Sequence, residues 1–130
     1  MAAKSFHLQI VELPVKNVKE SVEWYKKMFG LKLSFPFNEG DDEAWFNLNG
    51  MGFGLIQTND LPKMDFISSK GERKPFFTFQ VDNIKEFHQE MIQKGVEVQD
   101  MVFKQDGGYS FQFFDLNGNP LGIWGGWPKR

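Results

Sequence analysis

Two histidines, His7 and His88, are the only imidazoles in the chain, and cysteine is absent. Thiolate nucleophiles, disulfides and thiolate metal sites are therefore excluded. A metal site built on both histidines needs at least a third ligand, and no residue has a matching place for one. Packed or exposed structural roles suit both better; His88 lies beside Phe87 and Gln89 in a helical stretch. Glu12 is the acid to watch. It follows Ile10 by two residues in a strand-like run, so alternation sends both side chains to the same face. Enclosed by apolar walls, such a carboxylate is desolvated and can act as a general base or hold a cation; at a wet strand end it is merely solvated. Gly54 and Gly122 each stand inside a strand-like run. Glycine there marks a close approach by a backbone, a ligand or a large neighbour, for which Trp124 is the candidate. The acidic run from Asn38 to Glu43 is too short and irregular for a calcium loop, and reads as a solvated connection.

The elements that position these residues repeat. Val15-Lys16-Asn17-Val18-Lys19-Glu20 returns as Val81-Asp82-Asn83-Ile84-Lys85-Glu86, 66 positions later. Leu48-Asn49-Gly50 with Phe53-Gly54-Leu55 returns as Leu116-Asn117-Gly118 with Leu121-Gly122-Ile123, at an offset of 68. Gly30 and Gly95, which close the helical stretches, are 65 apart. Near-constant offsets at three landmarks indicate two copies of one module.

Each module opens with a strand candidate, Leu8–Val15 and Phe76–Val81. A helix follows, with Asn17 and Glu20, or Asn83 and Glu86, at capping-box spacing. Val18, Val22, Tyr25 and Phe29 share one helical face, as do Ile84, Phe87 and Met91. Three strand-like runs come next: Leu31–Phe37, Glu43–Leu48 and Phe53–Thr58 in the first module, Val96–Phe103, Tyr109–Asp115 and Pro120–Gly125 in the second. The fold class is α+β, βαβββ twice. The expected organisation is one domain, with module one at about 6–58, a linker at about 59–74 that reads as a hinge or flap, and module two at about 75–127.

Composition narrows the function classes. Apolar residues are 41% and charged residues 25% of 130 residues, and a module of this size buries too little to be comfortable alone. A net charge of −2 with interspersed signs argues against a nucleic-acid face. No stretch reaches membrane-span length, and His7, Gln9 and Glu12 interrupt any secretory hydrophobic region, so a cytoplasmic protein is expected.

The segments Leu13-Pro14-Val15-Lys16-Asn17-Val18-Lys19-Glu20-Ser21-Val22-Glu23-Trp24-Tyr25, Phe29-Gly30-Leu31 and Asp115-Leu116-Asn117-Gly118, within paired βαβββ modules, resemble the vicinal oxygen chelate superfamily. That is the group of glyoxalase I, the bleomycin-resistance proteins and the extradiol dioxygenases. The resemblance covers nearly the whole chain. It implies that each module curves into a partial barrel and that two modules, from one chain or swapped between two, enclose a cleft. It also implies a homodimer. Metal-dependent members carry ligands on the first and last strands of each module, His or Gln at the first pair and Glu at the last. The matching positions here are Ile10, Phe76, Gly54 and Gly122, with Ile56 as the other reading of the last strand of module one. None has a donating side chain, so no metal and no other cofactor are expected.

On that resemblance Ile10, Glu12, Trp45, Gly54, Ile56, Phe76, Thr78, Gln112, Gly122 and Trp124 are the expected ligand-binding set, with Glu12 the one catalytic candidate. Trp45, Phe76, Phe111, Phe113, Trp124 and Trp127 offer aromatic surface, of which alternation lets only part face a cleft. Glu12, Gln80 and Gln112 supply polar anchors. The leading expectation is a binding protein of the bleomycin-resistance kind, holding an aromatic or amphipathic small molecule in a metal-free cleft. The alternatives are a metal-dependent lyase or dioxygenase of the glyoxalase kind, and a metal-free enzyme with Glu12 as base.

Overall fold

Leu13 and Val15 are fully buried while Ile10 and Glu12 are exposed, so strand β1 (Ile10–Val15) turns one face to a core and one away from it. The computed structural model describes residues 6–128, which divide into two units between Pro62 and Lys63. In the first unit β1 is followed by helix α1 (Val18–Phe29) and strands β2 (Glu43–Leu48) and β3 (Met51–Gln57). The sheet order is β1-β3-β2, with β1 parallel and β2 antiparallel to β3.

The start of α1 is held twice. The Glu20 amide donates to Asn17 Oδ1 at 3.1 Å and the Val18 amide to Gln57 Oε1 at 3.0 Å, which satisfies two amides that have no partner within the helix. Gly30, at φ 64°, closes it in the left-handed conformation. Val18, Ser21, Val22 and Tyr25 are buried, and Tyr25 meets Phe53 edge-on at 5.4 Å. The expected strand Leu31–Phe37 reduces to a single bridge between Leu33 and Phe46. Pro36 has no amide to give a ladder, and the chain beyond Leu33 leaves the sheet.

The second unit begins with a hairpin of β4 (Asp65–Ile67) and β5 (Arg73–Pro75), inside the segment expected to be a hinge or flap. An Arg73–Asp65 ion pair at 3.0 Å and the Ser68 turn hold it. Then come β6 (Thr78–Gln80), α2 (Ile84–Gln93), β7 (Glu97–Val98), β8 (Val102–Lys104), β9 (Gly108–Phe114) and β10 (Pro120–Trp124). The sheet order is β6-β10-β9-β7, with β8 also on β9 and β6 parallel to β10. The main sheet of each unit therefore pairs its first strand in parallel with its last, and the last with the strand before it.

Three further details of the second unit differ from expectation. The strand placed at Phe76–Val81 starts at Thr78, because the Phe76 amide turns back to the Met64 carbonyl at 3.4 Å. The run Val96–Phe103 breaks into β7 and β8. Asn83 gives α2 no side-chain cap; its amide bonds the Glu86 carboxylate instead. The end of α2 is closed by a paired motif, with Gly95 N–H on the Ile92 carbonyl and Val96 N–H on that of Met91, both at 3.0 Å. Among the described residues no helix is long and apolar enough to cross a membrane.

Candidate functional site

The strand register places Glu12, Gly54 and Trp45 in one row across the first sheet, with Ile10 and Gly52 in the next row. Leu13, Ala44, Phe46, Phe53 and Leu55 are buried on the opposite, helix-covered face. Ile56 shares the face of Gly54 by alternation. Glu12 is exposed, so the apolar enclosure that would make it a base is not built by its own unit. Over Gly54 lies the indole of Trp45. A Cβ there would meet three carbons of its six-membered ring at 2.7–2.8 Å. The large neighbour is thus Trp45 rather than Trp124, and it fills the space a flat ligand would need above Gly54. The Trp45 Nε1 proton goes to Glu43 Oε1 at 2.9 Å, which fixes the ring.

Beside Trp45 is an open cavity of about 280 Å³. Phe35, Phe37 and Trp45 supply aromatic wall; Asp41, Asp42 and Glu43 supply carboxylates. The segment is held by backbone bonds: Ser34 N–H to the Trp45 carbonyl at 2.8 Å and Gln57 N–H to that of Asp42 at 2.9 Å. The Asn38 amide donates to Asp41 Oδ2 at 2.8 Å. Asn38 to Glu43 is exposed, as a solvated connection should be, except for partly buried Asp41; the cavity beside it was not foreseen from the sequence. The signal was the flanking pattern, with Phe35-Pro36-Phe37 before three acids and Trp45 directly after them.

The corresponding row of the second sheet is Thr78, Gly122 and Gln112. A Cβ at Gly122 would lie 2.5 Å from Thr78 Oγ1 and 3.2 Å from Pro75 Cγ. Gln112 Nε2 donates to the Arg73 carbonyl at 3.2 Å. Here the β4–β5 hairpin covers the row. Trp124, one step along β10 beside Gln80, gives its indole proton to the Gly107 carbonyl at 2.7 Å and meets Trp127 edge-on at 4.8 Å. Phe111 and Phe113 are buried on the other face and belong to the core. Phe76 stacks on Phe66 at 5.5 Å, with both rings about half exposed.

A model of the Glyoxalase/Bleomycin resistance protein/Dioxygenase superfamily matches residues 7–123. The chain belongs to this superfamily. Solved structures agree on the fold. A putative glyoxalase family protein from Bacillus anthracis aligns with a TM-score of 0.74 at 20% identity, over 95% of this chain and 97% of that one. Lactoylglutathione lyase from Agrobacterium tumefaciens gives 0.71 at 14%, over 94% and 95%. The fosfomycin resistance protein FosX from Listeria monocytogenes, in complex with Mn(II) and a dihydroxypropylphosphonic acid, gives 0.69 at 17%, over 95% and 92%. No curated protein matches the chain.

The FosX neighbour thus holds Mn(II), and the residues here do not fit a divalent metal of that kind. The first row offers one carboxylate, a glycine and an indole; the second offers a hydroxyl, a glycine and an amide. Divalent cations of these enzymes take several imidazole or carboxylate donors. Among the described residues no three of His, Asp and Glu converge. The histidines are engaged elsewhere: His7 Nε2 with Gln9 Oε1 at 2.8 Å, His88 Nε2 with the Gln99 carbonyl at 2.9 Å, the latter ring also edge-on to Phe111 at 4.5 Å.

Proposed function

We propose that this superfamily member is a small-molecule binding protein that takes an aromatic or amphipathic ligand without a divalent metal. The observation that carries the reading is the aromatic-walled cavity at Phe35, Phe37 and Trp45, on a unit whose metal-matching positions lack donors. Apolar concavities with a few placed polar groups are the usual form of such sites. Trp45 is the main contact; Glu12, Ile10 and Ile56 share the sheet face of Gly54, which lies under the Trp45 ring. Thr78, Gln112 and Gly122 form the matching row of the second unit, covered by the β4–β5 hairpin, and Phe76 and Trp124 lie outside that row. A cytoplasmic homodimer is the proposed assembly, tested by sedimentation at micromolar concentration.

The test is metal content after purification without chelator, followed by thermal shift with Mn(II), Zn(II) and Ni(II) and a tryptophan-fluorescence screen of small aromatic compounds. Metal well below one equivalent, no metal-dependent shift and saturable quenching by an aromatic compound are expected. Near-stoichiometric metal with clear stabilisation would overturn the reading in favour of a metal-dependent lyase or dioxygenase, which the Mn(II) complex of the FosX neighbour favours. Turnover that survives metal removal and is abolished by Glu12→Gln would instead make Glu12 a base.

A further inference from the structure

The charge around the cavity of the first unit says what kind of aromatic ligand it takes. Three consecutive carboxylates, Asp41, Asp42 and Glu43, line it together with the rings of Phe35, Phe37 and Trp45. Among the described residues none of the three forms an ion pair. The nearby acid Glu39, outside the lining, does have a cation, Lys19 at 3.2 Å. The carboxylates are also oriented. One oxygen of Asp41 accepts the Asn38 amide, and one oxygen of Glu43 accepts the Trp45 indole proton, so the Glu43 carboxylate and the Trp45 ring are held as one surface. Both polar contacts leave a second carboxylate oxygen for another donor.

Among the described residues the second unit does not repeat this arrangement. The second unit's glycine row is covered by Pro75, and its carboxylate Glu72 is already matched by Lys104 and Lys74. The stacked Phe66 and Phe76 are apolar without an adjacent charge pattern that names a partner.

We infer that the cavity at residues 35–45 selects an organic cation, a ligand with a quaternary or protonated amine carried on an aromatic or apolar frame. This rests on the small-molecule reading above and narrows it. The rings give the cation a face to lie on, since an aromatic quadrupole attracts positive charge. The carboxylates add a field of one sign beside the rings; Asp42 and Glu43 are exposed, so salt weakens it and the preference is modest. An anionic ligand would meet three like charges, and a neutral one would gain the aromatic contact alone.

The experiment is a titration of the intact protein with two probes of one shape: (4-hydroxyphenyl)trimethylammonium and its neutral counterpart 4-tert-butylphenol. Amide and indole chemical shifts locate the site and yield the affinity. The cation is expected to shift residues 35–45 and the Trp45 indole, and to bind about tenfold more tightly than the neutral probe. The double variant Asp42→Asn, Glu43→Gln keeps hydrogen-bonding oxygens at both places. It should bring the cation down to the affinity of the neutral probe and leave the latter unchanged. Equal affinities for the two probes, or a cation affinity unmoved in the variant, would overturn the cation assignment while the small-molecule reading stands. Shifts confined to the Gly122 row would move the site to the second unit and sink the assignment to this cavity. If neither probe perturbs any residue, while the protein quenches with other aromatic compounds, the cation assignment again fails alone. If no compound binds at all, both fall.

Discussion

The two units place a glycine at the same point of the same topology and cover it by different means. In the first, Gly54 lies between Glu12 and Trp45, and the indole of its own sheet neighbour folds over it. In the second, Gly122 lies between Thr78 and Gln112, and Pro75 of a hairpin preceding the sheet comes down on it. Neither glycine adopts a positive φ, so the shared demand is for space rather than for backbone freedom. The two units share this backbone arrangement and differ in the side chains above it. One face keeps an open aromatic recess beside its filler, and the other is closed by a hairpin.

The largest effect expected from disturbing this pair of rows is at Gly122. A methyl group there meets Thr78 on the adjacent strand and Pro75 on the hairpin, neither of which is the loose end of a long side chain. Gly122→Ala should destabilise by about 2–3 kcal/mol in urea unfolding, near the upper part of the range for overpacking. The entropy gained by replacing glycine offsets less than about 1 kcal/mol of that. A loss under 0.5 kcal/mol would mean the hairpin is not seated on this row.

At Gly54 the obstacle is one half-buried ring, which can swing aside by giving up its single exposed bond to Glu43. Gly54→Ala should cost about 1–2 kcal/mol, and in a Trp45→Ala background the added methyl should be tolerated. The two changes are in contact and should therefore couple. Strict additivity in the double-mutant cycle would show that the indole does not rest on Gly54 in solution.

Much of this was legible in the sequence because it rests on local rules. The 66- and 68-residue offsets announced two modules, alternation put Ile10 and Glu12 on one face, and the lone glycines announced a close approach. What lay over each glycine was not legible. The covering groups depend on how a side chain rotates across a sheet and on which strand lies opposite. Trp45 is nine residues from Gly54 in sequence but directly across from it in register. Pro75 reaches Gly122 only because residues 65–75 pair with themselves, through three-residue strands too short to show a period. The cavity was hidden for a related reason. Its walls come from a strand-like run that leaves the sheet after Leu33, and from acids that, read in isolation, belong to a connection.

The helix starts sharpen the comparison at smaller scale. Asn17 and Asn83 match in sequence, yet only Asn17 accepts a backbone amide. Asn17→Ala should cost about 1 kcal/mol. Asn83→Ala should cost no more than a few tenths, since its amide meets only the exposed Glu86 carboxylate. Equal losses from the two variants, measured by the same denaturant titration, would mean that the caps are alike and that the repeat extends to this detail.

The smallest effect is electrostatic and belongs to the hairpin that distinguishes the second unit. Glu72 lies next to β5. Lys104 first, and Lys74 after it, hold its carboxyl below the ordinary carboxylate range. A depressed folded-state pKa stabilises the folded form above the unfolded-state value, and that stabilisation is lost as pH falls through the depressed one. Glu72 is exposed, so the increment is small and screened by salt. Wild type should melt slightly above Glu72→Gln at neutral pH and low salt, with the difference closing on acidification and in 0.5 M NaCl. Amide exchange in residues 65–75 should report the change more sharply than global melting, because an exposed hairpin opens locally at lower cost than the whole unit. A difference that persists at low pH would assign the role of Glu72 to its shape and hydrogen bonds. The hairpin would then be held over Gly122 by packing, the Gln112–Arg73 bond and the Arg73–Asp65 pair, with the Glu72 charge contributing nothing.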